Sequence, residues 1–467
     1  MTEKPVSISI TIKVAEREII LERQLAISEI EESVQRLVTE IGQQVMKAGI
    51  EAVDERVKKQ VPAGWRNVGT EARWITSSVG EFQYRRRIYL DENNRRRKPV
   101  DEILGVGRYG RISQRVKEMG AQLASVSTYR EAADQLSWML KSGISHSSLQ
   151  RMVWEVGNRI ADGEEAEQRR IFECGGEMEA GKVQAPVLYG ESDGVWLHLQ
   201  REKRKSVEVR VAILSTGRKP IGKGRYRLEN KRCFTAVGLD TNEWQEQIVR
   251  TAHSYYDLSQ TKLLICGGDG GQWVRHSFDR MGIHQEFILD RFHLHRAARR
   301  AFQDRAQARK IVKILREQGL EVVRKDLEKQ IQEATGKRKE LLQEFYRYVD
   351  NNREALLDLK QRGYSEPSCL GAIEGNVDKL VVHRMKGRGC SWRLPGLRAM
   401  LALCRHREQL QQHAYHYFPV QTSVKSRHLH SDVSVKYPEV WQKSMPVFQG
   451  PDQAKPWVRS LYHEIHG

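Results

Sequence analysis

"VLYGESDGVWLHLQ" (residues 187–200) decides how the chain is read. Its apolar content predicts a β-strand, yet Glu191 and Asp193 lie near its middle. A carboxylate on a strand bound for a core is costly unless something cationic answers it. Strand-like runs follow at 207–214 (VEVRVAIL), 233–239 (CFTAVGL), 262–269 (KLLICGGD) and 286–290 (EFILD), with helical segments between the later ones. Three strands in series, then helix, strand, helix, strand, predict a mixed sheet with helices packed on it, an α/β class.

Outward from this sheet, assigned to 186–295, the period changes. Residues 296–367 are charged, favour helix and carry no strand signal, so they read as an all-helical insertion, and 368–410 return to an amphipathic helix and a basic loop. Upstream, residues 1–65 form a helical segment in which Ile27, Ile30, Val34, Leu37, Val38 and Ile41 recur at three- and four-residue steps, the pattern of a core-facing stripe. Residues 66–126 hold a β-hairpin turning at "VGE" and a basic region; 127–157 read as two helices joined at Gly143, with Ser145 as cap of the second. That pair matches a DNA-binding helix-turn-helix, although ordinary helix pairs share the pattern. Residues 158–185, rich in Glu and Gly, read as a linker, and 411–467 as a C-terminal region.

Charge narrows the partner. The 467 residues carry 78 Lys and Arg against 60 Asp and Glu, a formal +18, which suits a polyanion. The excess is clustered: "RRRIYLDENNRRRK" (85–98) has seven bases and two acids, and residues 201–232 have twelve and three. Either run is a phosphate footprint or a solvated face. With 39% hydrophobic residues the chain can build cores. No stretch has the apolar length of a membrane span, and the N-terminus lacks a signal-peptide layout, so the expected location is the cytoplasm, beside the nucleoid. The six cysteines are too scattered for a disulfide framework or a zinc knuckle.

Two more carboxylates stand in positions that suit Asp193. Asp269 lies inside "GGDGG" at the end of a predicted strand, and Glu374 opens the helix after the insertion, near Gly371 and Gly375. Taken singly, the first is a turn residue and the second complements a helix dipole. Phosphoryl transfer on nucleic acid, however, uses two divalent cations roughly 3.5–4 Å apart, and Mg²⁺ prefers hard carboxylate oxygens. In an RNase H-like sheet the first and fourth strands are neighbours and the helix after the fifth crosses their ends, which places Asp193, Asp269 and Glu374 together.

The runs "YGESDGVWLHLQ", "EVRVAIL", "GGDGGQW", "LDRFHLHR" and "AIEGNVDKLVVHRMKGRGCSW", with "GEFQYRRRIYLDE", "DEILG" and "STYREAADQLS" upstream, resemble the ISLre-type insertion-sequence transposases, DDE enzymes with an RNase H-like core. The resemblance covers most of the chain from residue 65. It implies that Asp193, Asp269 and Glu374 are the catalytic triad and ligate two Mg²⁺ or Mn²⁺ ions, that the partners are double-stranded DNA at element ends and at the target, and that the chain works as a homo-oligomer on DNA, away from membranes. Glu191 shares a strand face with Asp193 and competes for its role. Asp290 and His293 of "DRFH" support the site, touch DNA or are structural. In "HRMKGRGCSWR" (383–393), Arg384, Lys386, Arg388 and Trp392 offer phosphate contacts and a stacking face, or form an ordinary loop. A DNA-binding regulator without catalysis and a metal-dependent nuclease that does not rejoin strands are the rival functions.

Overall fold

The computed structural model describes residues 27–107, 110–366, 369–387 and 389–407, all within Met1–Tyr415, one of the two units into which the chain divides. The C-terminal region expected over 411–467 lies outside the described residues. Helix α1 (Ile27–Lys58) packs on the antiparallel hairpin of β1 (Arg66–Ser77) and β2 (Gly80–Leu90), to which β3 (Arg96–Arg97) adds a short edge. The alternation of β2 turns Phe82 and Tyr84 inward against Ile50, Ile75 and Val100.

The apolar stripe at the start of α1 is not core. Ile27 is 76% exposed and Val38 62%, with Ile30 and Val34 also open. The hairpin meets only the later part of the helix, where Gln43 donates to the Val79 carbonyl and the Glu51 carboxylate accepts from the Arg85 amide. The helix therefore buries Ile50, Asp54 and Val57 instead.

The basic run 85–98 is largely an internal ion network. Arg86 is buried between Glu71 and Asp101, Arg87 pairs with Asp54 at 2.6 Å and with Glu55, Lys98 reaches Glu71, and Arg97 reaches Glu102 at 2.9 Å. The acids come from α1, from β1 and from helix α2 (Pro99–Ile103), so a count within the run alone misses them.

Helices α3 (Gln114–Ala124), α4 (Tyr129–Leu140) and α5 (His146–Phe172) follow. Thr128 and Glu131 close a capping box on α4, Lys141 ends it with φ 50°, and Ser145 caps α5 by accepting from the Ser148 amide. The expected helix pair is therefore present, but α5 continues through much of the presumed linker to Phe172. Its buried face, including Leu149, Val153 and Val156, shares one core with strand and helix residues as far on as Leu401. At Gly157 an added Cβ would lie 2.3 Å from the carbonyl oxygen of Ala399. Gly157→Ala is expected to lower unfolding free energy by about 3 kcal/mol, because the obstacle is backbone and must move; urea denaturation measures it.

The main sheet has five strands in the order β10-β9-β4-β5-β8: β4 (Val187–His198), β5 (Ser206–Ser215), β8 (Arg232–Val237), β9 (Leu263–Gly268) and β10 (Gln285–Leu289). The first three are antiparallel neighbours, and β9 and β10 run parallel to β4. All five predicted strands are found within a residue or two. Between β5 and β8 is a hairpin the sequence reading did not foresee, β6 (Gly217–Gly222) with β7 (Arg225–Glu229). Helices α6 (Thr241–His253) and α7 (Gln272–Arg275) cover one face. Helices α8 (Arg291–Phe302), α9 (Arg305–Gln318), α10 (Glu321–Glu333) and α11 (Gly336–Asn351) build a core of their own that meets the sheet at Leu289. Then α12 (Ile373–Val377) passes through a π-helical turn (Asp378–Val382) into α13 (His383–Met385), and α14 (Leu394–Arg405) packs beside α5. Among the described residues no helix is long and apolar enough to cross a membrane.

Candidate active site

Pairing of β4 with β9, and of β9 with β10, stops at one level. Ser192 is opposite Gly268, and Gly268 opposite Leu289. The next residue along each of these strands is an aspartate: Asp193, Asp269 and Asp290. The carboxyl ends of parallel strands are where open α/β sheets receive ligands.

Each aspartate has a different setting. The Asp269 carboxylate accepts the Gly271 amide at 2.8 Å, and its carbonyl accepts the Tyr348 hydroxyl at 2.9 Å. Gly270 follows with φ +86°, and an added Cβ would lie 2.4 Å from the Asn352 side-chain oxygen, so only glycine suits the bend. Asp290 caps α8 through the His293 amide and holds the imidazole Nδ1 at 2.9 Å. Burial would raise the Asp290 carboxyl, but His293 outweighs it and holds it low. In return Asp290 lifts the imidazole above its usual range, and the charges of Asp193 and Asp269 add to that. Asp193 accepts only the adjacent Gly194 amide among the described residues, at 2.7 Å.

Glu374 comes from the first turn of α12, and Glu191 explains why that turn lies over the sheet. Glu191 is 4% exposed, and its oxygens accept the amides of Gly371 at 2.7 Å, Ala372 at 3.1 Å and Ile373 at 3.3 Å. On the same strand face, Val195 and Leu197 share a core with Ile373 and Val377. The competition left open between Glu191 and Asp193 is thereby separated in space: Glu191 is occupied with the backbone that carries Glu374, and Asp193 faces the other carboxylates. Glu191→Ala should cost about 2 kcal/mol in chemical denaturation, because the amides of Gly371, Ala372 and Ile373 lose their acceptor, the last of them buried.

Burial, with the charges of Asp269 and Glu374, pushes the Asp193 carboxyl above its usual range, against the pull of Gly194 and His293. Glu208 of β5 adds a carboxylate that the sequence reading missed. Burial raises it, Arg210 and Trp273 lower it, and Asp269 and Asp193 raise it further. Its signal was Gly194, where an added Cβ would lie 2.4 Å from the Glu208 Oε1. Tyr348, from the helical insertion, was also missed; no periodicity distinguishes it from its neighbours. Among the described residues Asp193, Asp269 and Glu374 have no cationic side chain in an ion pair, whereas Glu164, on α5, has Arg405 and His406 and is held down at about 2 despite its burial. As the side chains stand, no group of three or more His, Cys, Asp or Glu among the described residues is placed to hold a metal ion. Asp193, Asp269 and Glu374 supply hard oxygen donors, the type a divalent cation prefers.

The loop residues divide. Arg384 is buried, donates to the Ala124 carbonyl at 2.6 Å and lies over the rings of Tyr129 and Trp392. Trp392 is buried too, with its indole on the Met385 carbonyl at 2.8 Å. The pair clips α13 to α3 and α4, because the core between those helices needs a large flat filler, so the stacking face expected at Trp392 is covered. Lys386 is exposed, and Arg388 lies outside the described residues.

Comparison with known proteins gives this arrangement a family. The chain is 26% identical over 393 residues to a UPF0236 protein from the vanSb 3′ region of Streptococcus gallolyticus, covering 82% of this chain and 83% of that one. It is 25% identical over 391 residues to a UPF0236 protein of Caldanaerobacter subterraneus subsp. tengcongensis, covering 82% and 78%. A second UPF0236 protein of that organism is 23% identical over 394 residues, covering 82% and 79%. The model of UPF0236, an uncharacterised protein family, matches residues 20–412, so the chain belongs to the UPF0236 family.

Proposed function

We propose that the protein is a DNA transposase, which cuts DNA at the ends of a mobile element and joins the freed strand to a target, with Asp193, Asp269 and Glu374 holding two Mg²⁺ or Mn²⁺ ions. The observation that carries this is the placement of three carboxylates, with no ion-paired cationic side chain among the described residues, where the β4–β9 pairing stops, just past β9 and at the start of α12, in a chain of formal charge +18. The mixed five-stranded order, with α12 packed on β4 and β5 after the helical insertion, supports the reading. One relative's name joins eleven locus designations of a single genome, and repeated copies are what transposition leaves behind.

Bound divalent cations would activate an attacking oxygen and stabilise the leaving one. The protein's own part is positional. Glu191 fixes the loop that carries Glu374, Tyr348 holds the Asp269 turn, and Asp290 orients the His293 imidazole, its pKa raised, beside Asp193 and Asp269. The surplus cations elsewhere serve the DNA backbone. Two element ends must meet for joining, which calls for a homo-oligomer assembled on DNA.

The test is a labelled duplex carrying the element's terminal sequence, incubated with Mg²⁺ or Mn²⁺. Nicks that leave a 3′-hydroxyl and become joined to target DNA support the reading. Binding with no cleavage makes the protein a regulator, and cleavage with no joining makes it a nuclease.

A further inference from the structure

Among the described residues the β6–β7 hairpin pairs with no other strand, and it touches the main core through Leu228. It continues the β5–β8 connection past the last main-sheet pair, Leu214 with Arg232, and its strands pair only with each other. Arg218 through Gly222 are exposed, as are Arg225, Tyr226, Arg227 and Glu229. A lone two-stranded ribbon is marginal in water, and apart from Gly217 and Leu228 at its root the strands of this one are exposed. It carries Arg218, Lys219, Lys223, Arg225 and Arg227 against the single acid Glu229, which lies 3.9 Å from Lys219 at the root.

Its tip is apolar among those cations. The register shifts between Pro220 and Gly222, leaving Ile221 without a partner across the ribbon and 49% exposed. Tyr226, opposite Pro220, is 56% exposed, and the Arg218 guanidinium lies 4.6 Å from its ring centre. A solvated charged arm has no use for an exposed proline–isoleucine step. Proteins that bend duplex DNA use such a step, with cations astride the backbone and an apolar wedge entering between base pairs from the minor groove. The ribbon leaves the sheet beside the start of β4, at Tyr189, away from the aspartate row. From the level of Val211 to Gly217 is six residues, roughly 20 Å of strand, so the arm meets DNA at a distance from the carboxylates.

We propose that the β6–β7 ribbon is a DNA-bending arm that grips duplex DNA through its five cations and inserts Pro220 and Ile221 between base pairs. The proposal rests on the DNA reading above for its partner, and it is independent of catalysis.

The experiment uses the full chain in EDTA with a duplex carrying a dye at each end. Anisotropy across a salt series gives the phosphate contacts, and energy transfer between the dyes gives the bend. The Lys219→Ala, Lys223→Ala, Arg225→Ala, Arg227→Ala variant should flatten the slope of log affinity against log salt by about 3. Ile221→Ala should keep the slope and lose the bend. Both alter exposed side chains, and unchanged melting temperatures will show intact folding. A wild-type slope and bend in both variants overturns the arm while leaving DNA binding standing. Failure of the wild type to bind duplex overturns the DNA reading itself, and ribbon-dependent binding to anionic vesicles with none to duplex makes the arm a membrane contact.

Discussion

Asp193→Asn is expected to lower metal-dependent strand cleavage about a thousandfold, since the metals supply several kcal/mol of transition-state stabilisation and each 1.4 kcal/mol is a factor of ten. The same change should make the metal-free protein more stable. Burial and the charges of Asp269 and Glu374 raise the Asp193 carboxyl in the folded state. A carboxyl raised on folding binds its proton more tightly in the native chain, so stability falls as pH rises from the unfolded value through the folded one. At neutral pH the ionised group therefore opposes folding, and asparagine removes that opposition. Added Mg²⁺ should reverse the ranking, stabilising the wild type by about 2.7 kcal/mol at a hundred times its dissociation constant and leaving the variant unmoved. Thermal melts in EDTA and in Mg²⁺ read both effects. A variant that melts below the wild type in EDTA would mean that Asp193 is an ordinary structural carboxylate.

Asp101→Ala should be among the most damaging changes outside the site. Asp101 is 4% exposed, accepts the Tyr84 hydroxyl at 2.9 Å and pairs with both Arg73 and Arg86, themselves buried. Its removal leaves two guanidinium groups sharing a low-dielectric site without their common anion. Breaking such a buried pair costs about 3 to 5 kcal/mol. Urea denaturation would show it as a fall in midpoint, and a loss below about 1 kcal/mol would mean that water or Glu71 compensates the arginines. Asp101→Asn keeps the shape and Tyr84's acceptor, so its loss should be smaller.

These residues also show what a sequence makes legible. The five strands and their mixed pairing could be read because apolar runs bounded by glycine and charge are local signals, and Asp269 was visible for the same reason. What depended on distant partners was hidden. The basic run 85–98 looks like a phosphate footprint until Glu71, Asp54, Glu55, Asp101 and Glu102 arrive from other elements to pair with Arg86, Arg87, Arg97 and Lys98. The start of α1 has the spacing of a core stripe, but the hairpin reaches only its later part, so Ile27 and Val38 stay open. Glu191 and Asp193 are indistinguishable by alternation, and only the loop 371–373, some 180 residues later, tells them apart. Arg384 and Trp392 look like a nucleic-acid loop and instead fill the space beside Tyr129.

Joint action of Asp193, Asp269 and Glu374 as a divalent-cation site is open to direct measurement. Calorimetric titration of the metal-free protein with Mn²⁺ tests it most directly. Two ions should bind to the wild type, with affinity rising with pH as Asp193 gives up its proton, and Asp269→Asn should abolish that binding while circular dichroism remains unchanged. Mn²⁺ binding of equal stoichiometry and affinity in wild type and Asp269→Asn would mean that these carboxylates hold no cation.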